Sequence, residues 1–198
     1  MVKGKKFRTV KPEIRVIGID DGFFEPHTRG KCDVVGVVFR GGCWLDGVMR
    51  TSIEIDGMDA TERIADMIMH SPHFGQLRII MLDGVTFAGF NIVDTSALFE
   101  TTKLPVIAIT REKPNLGNIR HALENLTFAA ERWKMINSEK KIVEVPVSEK
   151  KAIFMQVTGL EEEDAKRIVS LTSTRSNIPE ALRVAHLIAT GLTVPNRN

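Results

Sequence analysis

The sequence predicts an α/β protein built around one mixed β-sheet. Three observations predict this class: β-rich runs alternate with helical patterns, a Gly-Gly pair separates two of the β-rich runs, and no repeat or low-complexity linker interrupts the 198 residues. Hydrophobic residues make up 43% of the chain and charged residues 26%, which is typical of globular proteins. A chain of this length can bury roughly 70% of its unfolded surface, so folding needs neither a disulfide nor a metal.

The first third of the chain predicts three strands and the beginning of a helix. The strands are expected over residues 14–20, 33–40 and 43–55. Gly41-Gly42, between the second and third strands, is typical of a hairpin. The period then changes to that of a helix, and Asp59 with Glu62 three residues later has the spacing of a capping box.

The remainder of the chain alternates strands with helices. The apolar run over residues 77–83 lacks alternation, which predicts a central strand covered on both faces. Further strands are expected over residues 105–109, 141–147 and 152–157, and further helices over residues 91–102, 119–137, 161–171 and 178–192. The order βββαβαβα, followed by mixed elements, is that of a ribonuclease-H-like mixed sheet with flanking helices.

Charge is distributed unevenly along the chain. Five basic residues crowd the N-terminus with no acid among them: Lys3, Lys5, Lys6, Arg8 and Lys11. Because the whole chain carries +2, residues 12–198 carry −3, and we interpret the sequence as a basic arm over residues 1–11 followed by a single domain. The arm could bind phosphate or be a solvated terminus. The polar segment over residues 172–176 could also bind phosphate, or simply connect two helices.

The sequence indicates a cytoplasmic protein. The basic N-terminus is not followed by the apolar segment of a secretory signal, and no apolar run approaches the roughly 20 residues that span a bilayer. Cys32 and Cys43 form neither a disulfide framework nor the paired spacing of a zinc site. We therefore expect no membrane partner.

Two of the predicted buried strands end in an acid, Asp20 in one and Asp83 in the other. Sites in open α/β sheets gather beyond the carboxyl ends of strands, and two carboxylates brought together there repel each other unless a cation neutralises them. Oxygen ligands of this kind favour Mg²⁺ or Mn²⁺. An Asp-Gly pair after a strand is also an ordinary turn, so both interpretations stay open.

Four segments of the sequence form a recognisable set. They are Gly18-Ile19-Asp20, Asp83-Gly84, the segment LPVIAITR that ends at Arg111, and a C-terminal stretch with Pro179-Glu180, Arg183 and Ala185-His186. Over about residues 14–192 the chain resembles an archaeal-type family of domains of unknown function that is distantly related to endonuclease V, with a ribonuclease-H-like fold. The C-terminal stretch is the most specific of the four.

The resemblance implies a divalent-metal site. Asp20, Asp83 and Glu62 match the family's metal-binding acids, and Glu62 lies 21 residues before Asp83, as in the family. His186 falls on the family's catalytic histidine, and Arg111 stands where the family has a lysine. The implied cofactor is Mg²⁺ or Mn²⁺, and the implied partner is a nucleic acid, DNA or RNA. From the residues alone, Glu62 is equally well explained by the capping box.

Two departures from endonuclease V concern the loops that read the base. Endonuclease V wedges into DNA with a Tyr-Ile-Pro-Gly strip, whereas residues 55–58 read IDGM and contain no aromatic wedge. The His-Pro-Arg that follows its strand-four Asp-Gly is also absent, and residues 87–91 read FAGFN. The base-reading loops therefore differ, so the sequence does not support recognition of a deaminated base, and the FAGFN loop could line a pocket or simply pack.

The leading hypothesis is a divalent-metal-dependent nuclease-like protein in which Arg111 offsets phosphate charge and His186 steers water or the leaving group. His186 is then expected within roughly 8 Å of Asp20 and Asp83 and partly exposed, whereas a structural histidine would be sealed in the core. Asp21 points the other way along the strand and is expected to be a cap or a solvent contact. The alternatives are a non-catalytic nucleic-acid-binding module of the same fold, and a small-molecule or protein-interaction domain.

Overall fold

The computed structural model describes residues 6–26, 28–124, 126–137, 141–148 and 151–193. Its strands are β1 (Arg15–Asp21), β2 (Lys31–Arg40), β3 (Trp44–Glu54), β4 (Ile79–Asp83), β5 (Thr86–Phe87), β6 (Asn91–Ile92), β7 (Val106–Thr110), β8 (Ile142–Ser148) and β9 (Lys151–Thr158). Its helices are α1 (Ala60–Met69), α2 (Thr95–Thr102), α3 (Leu116–Leu123), α4 (Ala129–Ile136), α5 (Glu162–Thr172) and α6 (Glu180–Thr193), and a short 3-10 turn spans Phe74–Gln76.

Seven strands form one mixed sheet in the order β3-β2-β1-β4-β7-β9-β8, and β5 pairs with β6 in a separate ribbon. The pairs β1–β4 and β4–β7 are parallel, whereas the other four pairs of the large sheet are antiparallel. The hairpin predicted at Gly41-Gly42 joins β2 to β3, with Arg40 opposite Trp44. The mixed α/β sheet of ribonuclease-H-like order is thereby confirmed.

Side chains of the central strands alternate between two apolar layers. In β1, Val16 belongs to the layer that α5 and α6 cover, whereas Ile17 and Ile19 belong to the layer that α1 and α2 cover. The first four side chains of β4 are all buried, as predicted for a central strand covered on both faces, and the first four of β7 are buried as well. Because burial of each such side chain contributes about 1.5–3 kcal/mol, the two layers fix α1 and α6 on opposite faces of the same strands.

The helix predicted over residues 91–102 is wrong at its beginning. Asn91–Ile92 form β6 instead, and α2 begins only after Asp94. The Asp94 carboxylate accepts hydrogen bonds from the backbone N–H groups of Ser96 and Ala97, which is the geometry of an N-cap. This local cap sets the helix boundary more strongly than the apolar pattern around it.

The single helix predicted over residues 119–137 is also wrong, because the structure divides the segment into α3 and α4. The apolar periodicity continues across the break and conceals it. Phe128, which precedes α4, has a left-handed backbone with φ of 58° and cannot continue a helix. The Arg132 side chain donates to the carbonyl of Thr127 at 2.9 Å and so stabilises the break.

The described part of the basic arm packs against the sheet. Phe7 and Val10 contact the layer under α5 and α6, and the backbone N–H of Phe7 donates to the Asp164 carboxylate at 2.8 Å. Three basic side chains of this part are exposed: Lys6, Arg8 and Lys11. The segment leads into the amino end of β1, while Lys3 and Lys5 lie outside the described residues.

Candidate metal centre

The parallel register of β1 and β4 brings two acids to the same edge of the sheet. Ile19 lies opposite Leu82, and the next residues of the two strands are Asp20 and Asp83. Since side chains alternate along a strand, both carboxylates point to the face that α6 covers. The neighbourhood that the sequence could only suggest therefore follows from strand register.

A close approach between α6 and β1 completes the cluster. Gly18 has no side chain, and a Cβ at this position would collide with the backbone of Ala181 in the first turn of α6. The helix can therefore lie directly on β1. This brings His186 to Asp20, and a hydrogen bond of 2.8 Å joins Nδ1 of His186 to Oδ2 of Asp20. The His186 side chain is 52% exposed, so it lies near the aspartates and open to solvent, in the position expected for it.

The cluster concentrates negative charge without enough positive charge to balance it. Asp20, Asp83 and His186 each offer one ligand atom within 4.8 Å of the others. Burial raises the pKa of Asp20 to about 7, with further contributions from Asp83 and Asp21 that the hydrogen bond from His186 opposes. Burial raises the pKa of Asp83 as well. Two carboxylates and one imidazole fit a divalent cation, which would supply the missing charge; the oxygens suit Mg²⁺ or Mn²⁺.

Arg111 approaches the cluster from the end of β7. Its Nη2 lies 3.6 Å from Asp83 Oδ2, too far for a strong hydrogen bond. The Arg111 side chain is 56% exposed, so solvent screens this ion pair and leaves the guanidinium free to reach a further anion. It opposes the rise in the pKa of Asp83 without cancelling it.

Asp21 lies on the opposite face of β1 from Asp20 and anchors a loop. Its Oδ2 accepts a hydrogen bond from the backbone N–H of Ala88 at 2.6 Å. Burial raises the pKa of Asp21 too, although the bond from Ala88 opposes the rise. The side chain is therefore a tether for the FAGFN loop, a more specific contact than the cap or solvent contact that the strand pattern predicts.

The structure does not bring Glu62 to the cluster. Glu62 is exposed in the first turn of α1, and α1 packs on the face of the sheet opposite to α6. The capping box does not form either, because the Asp59 carboxylate accepts from the backbone N–H of Glu54 and from the side-chain amide of Asn91. Asn91 in turn accepts from the backbone N–H of Ala60 at 2.9 Å, and so supplies the helix start.

Sequence reasoning missed Arg132, a buried arginine that holds the loops beside the cluster together. Its guanidinium donates to the carbonyls of Asp56 at 2.6 Å and Gly57 at 2.9 Å, and also to that of Phe90. These carbonyls belong to the IDGM segment and to the FAGFN loop. Because every acceptor is a main-chain group, no side-chain motif in the sequence could have revealed this network.

The two loops that Arg132 joins border a cavity of about 430 Å³. Asp56 is its polar member: its Oδ1 accepts from the backbone N–H of Phe90, and its own N–H donates to Ala88. Asp56 and Ala88 both have left-handed backbones, with φ of 51° and 43°, and such strain persists only where the surroundings over-determine it. Phe24 and Phe90 line the cavity, so part of the FAGFN loop lines a pocket while Phe87 is buried.

Solved structures share this fold. A crystal structure of a protein of unknown function from Archaeoglobus fulgidus aligns with a TM-score of 0.83 at 33% identity, over 92% of this chain and 99% of that one. Endonuclease V from Ciona intestinalis, in complex with a 24mer DNA containing an inosine followed by a ribo-adenosine, aligns with a TM-score of 0.57 at 14% identity, over 87% and 82% of the two chains. The chain therefore has an endonuclease-V-like fold.

The family is also defined. The chain matches the family model described as Endonuclease dU over residues 12–193 and belongs to that family. A relative from Methanothermobacter thermautotrophicus, named UPF0215 protein, is 46% identical over 194 residues, which cover 98% of this chain and 94% of the relative. Within the described residues, no helix has the length and apolar character needed to cross a membrane.

Proposed function

We propose that this protein is a divalent-metal-dependent endonuclease that hydrolyses a phosphodiester bond of DNA. The observation that carries the proposal is the cluster of Asp20, Asp83 and His186, whose ligand atoms lie within 4.8 Å of one another where β1 and β4 end. Asp20 and Asp83 would hold Mg²⁺ or Mn²⁺. Such an ion, when bound, would neutralise the scissile phosphate and lower the pKa of a water ligand. Membership of the Endonuclease dU family supports the same conclusion.

We assign proton transfer to His186. With Asp20 ionised, as a bound metal ion would require, its carboxylate can only accept a hydrogen bond, so Nδ1 of a neutral His186 donates to Asp20 and Nε2 keeps the free lone pair. Because the ring is half-exposed, Nε2 is the nitrogen available to a water molecule or to the leaving-group oxygen. Arg111 would bind phosphate oxygens and offset their charge.

The substrate class comes from the family and from the cavity beside the cluster. The family is described as Endonuclease dU, which we interpret as deoxyuridine, and the endonuclease V of Ciona intestinalis is bound to DNA that contains an inosine. A base extruded from the duplex would enter the cavity bordered by Asp56, Phe24 and Phe90, where aromatic surfaces can stack on it and a carboxylate can accept from it. Because these loops differ from those of endonuclease V, we expect them to bind a base other than the inosine base.

The test is a cleavage assay on a DNA duplex that carries one deoxyuridine, run beside an identical duplex with thymidine. We expect strand cleavage of the first duplex only, dependent on Mn²⁺ or Mg²⁺, and its loss in Asp83→Asn. Folded wild-type protein that binds the deoxyuridine duplex with either ion and cleaves neither strand would refute the proposal.

A second candidate is a nucleic-acid-binding module of the same fold without catalysis. The observation that favours it is the position of Glu62, which leaves two carboxylates in the cluster where the resemblance implies three. The same assay separates the two candidates, because a binding module retains affinity for the duplex in the presence of Mn²⁺ and yields no product.

A further inference from the structure

A second groove adjoins the carboxylate cluster on the face of the sheet that α6 covers. It encloses about 520 Å³ between the end of β7, the beginning of β9 and the segment that leads into α6. Its charged lining residues are Arg111 and Arg183, its polar ones are Ser176 and Asn177, and no acid is among the described residues that line it. The proposed function uses Arg111 alone, so the rest of this groove is unassigned.

Arg183 is a fixed cation at one side of the groove. Its Nε and Nη2 donate to Glu180 Oε2 at 3.0 and 2.7 Å, and Glu180 is 2% exposed. The other oxygen of Glu180 accepts from the backbone N–H of Arg175 at 3.1 Å. One buried carboxylate therefore holds both the guanidinium and the adjoining loop, and in the described chain the Nη1 of Arg183 has no hydrogen-bond partner. Such pre-organisation reduces the entropic cost of binding an anion.

Arg111 connects the groove to the cluster, because it lines the groove and also lies 3.6 Å from Asp83. A strand whose scissile phosphate lies at Asp20 and Asp83 would present its next backbone phosphate on one side of them. No acid is among the described residues that line the groove. Although Glu180 pairs with Nε and Nη2 of Arg183, the Nη1 of Arg183 and the half-exposed guanidinium of Arg111 keep N–H groups for phosphate oxygens.

We infer that this groove binds a backbone phosphate of the DNA strand next to the phosphate that is cleaved. The inference rests on the proposed function and extends it, because it assigns Arg183 and Asn177 to substrate binding. The groove and the cavity at Asp56 lie on opposite faces of the sheet edge. The strand therefore crosses the carboxylates with an extruded base on one side and a held phosphate on the other.

The experiment measures the affinity of a single-stranded DNA oligonucleotide without metal, so that catalysis plays no part. Asn177→Asp introduces a negative charge into the groove and leaves the Arg183–Glu180 pair intact. Glu180→Gln with Arg183→Gln removes both charges of the pair, so the net charge stays the same and no buried carboxylate is left alone. Arg175→Gln is the matched control, since Arg175 is exposed on the same loop and does not line the groove.

We expect the double variant to bind about 10-fold more weakly than wild type and to lose about 0.7 from the slope of log K against log salt, the value for one single-strand phosphate contact. Asn177→Asp should also bind more weakly, and Arg175→Gln should bind as wild type. Groove variants that keep wild-type affinity and slope, in a protein that cleaves deoxyuridine DNA, would overturn the groove alone. If the groove variants bind DNA more weakly but the wild-type protein never cleaves it, the proposed function alone would be overturned.

Discussion

The two edges of the sheet treat charge in opposite ways. At the amino edge of β1, Asp46 lies between two arginines, with Arg15 Nε at 3.1 Å and Arg40 Nη2 at 3.4 Å. At the carboxyl edge, Asp20 and Asp83 lie side by side, and Asp20 is the most buried of the three acids. The groups that face them there are a half-exposed histidine and an arginine at 3.6 Å.

The difference indicates which edge is built for a ligand. The acid of the amino edge is compensated by its own protein, and pairs of this kind contribute at most about 1 kcal/mol to folding. Burial raises the pKa of both acids of the carboxyl edge, and the charge of Asp83 raises that of Asp20 further, so the metal-free fold carries an electrostatic cost there. Gly18 permits the contact that brings His186 to these acids. A fold that maintains uncompensated carboxylates at one edge is pre-organised for a cation from solution.

The largest expected difference between the edges is seen when one acid is replaced at each of them in separate variants. Asp83→Asn should abolish cleavage and weaken Mn²⁺ binding by more than about 100-fold. Loss of a direct metal ligand should reduce metal affinity at least as much as loss of a residue that only hydrogen-bonds to a ligand. Asp46→Asn should leave both unchanged. Calorimetric titration with Mn²⁺ checks the affinities, and Glu62→Gln, on the other face, should titrate as wild type. Equal Mn²⁺ affinities for Asp83→Asn and wild type would remove the proposed distinction between the edges.

His186→Ala should reduce cleavage by about 10²-fold, the typical contribution of an acid–base group, and change the melting temperature little because the ring is half-exposed. His70→Ala is the control, since His70 is an exposed histidine at the end of α1. Cleavage rates at saturating DNA and thermal unfolding of the same preparations check both points. A lowered melting temperature with unchanged activity would make His186 a structural residue and weaken the case for the carboxyl edge.

The pKa of Asp20 predicts a pH dependence that the amino edge should not share. Metal must displace the proton of Asp20, so Mn²⁺ affinity should rise about 10-fold between pH 6 and pH 8, with proton release on binding. The folded pKa of about 7 lies above the ordinary 3.8, so the folded state holds this proton more tightly. The contribution of Asp20 to the free energy of unfolding of the metal-free protein should therefore fall as pH rises from about 4 to 7.

Asp20→Asn provides the control, because an amide cannot titrate. Thermal unfolding without metal at pH 5 and pH 8 should show a steeper decline for wild type than for Asp20→Asn. A gain of 1 kcal/mol by the variant at pH 8 corresponds to roughly 2–4 °C in melting temperature for a protein of this size. Parallel pH profiles for the two proteins would contradict the unbalanced charge at the carboxyl edge.

The sequence predicted the carboxyl edge better than the loops around it, and the reason is physical. Acids at the ends of apolar strands gather wherever the strands are parallel neighbours, so the positions of Asp20 and Asp83 made them candidates, which the resemblance to endonuclease V then favoured over an ordinary turn. The face on which a helix packs is set by tertiary contacts, so the spacing of Glu62 could not show that α1, which carries it, packs on the face opposite to α6. Arg132 is bound by main-chain carbonyls, which leave no pattern in the sequence.

The smallest expected effect concerns the basic arm, whose described part leads into the amino end of β1. Arg8→Ser with Lys11→Ser removes two exposed charges from that edge. We expect the slope of log K against log salt for duplex DNA to stay within about 0.3 of the wild-type value, because DNA held at the carboxyl edge does not reach these residues. Loss of two phosphate contacts would instead reduce the slope by about 1.8.

The Glu180→Gln and Arg183→Gln double variant is the positive control for this measurement, since it should lose nearly one unit of slope on duplex DNA without any change in net charge. If the arm variant lost as much as the groove variant, the duplex would contact both edges of the sheet. The amino edge would then be part of the binding surface, and the DNA would extend across the protein past the ion pairs of Asp46 with Arg15 and Arg40.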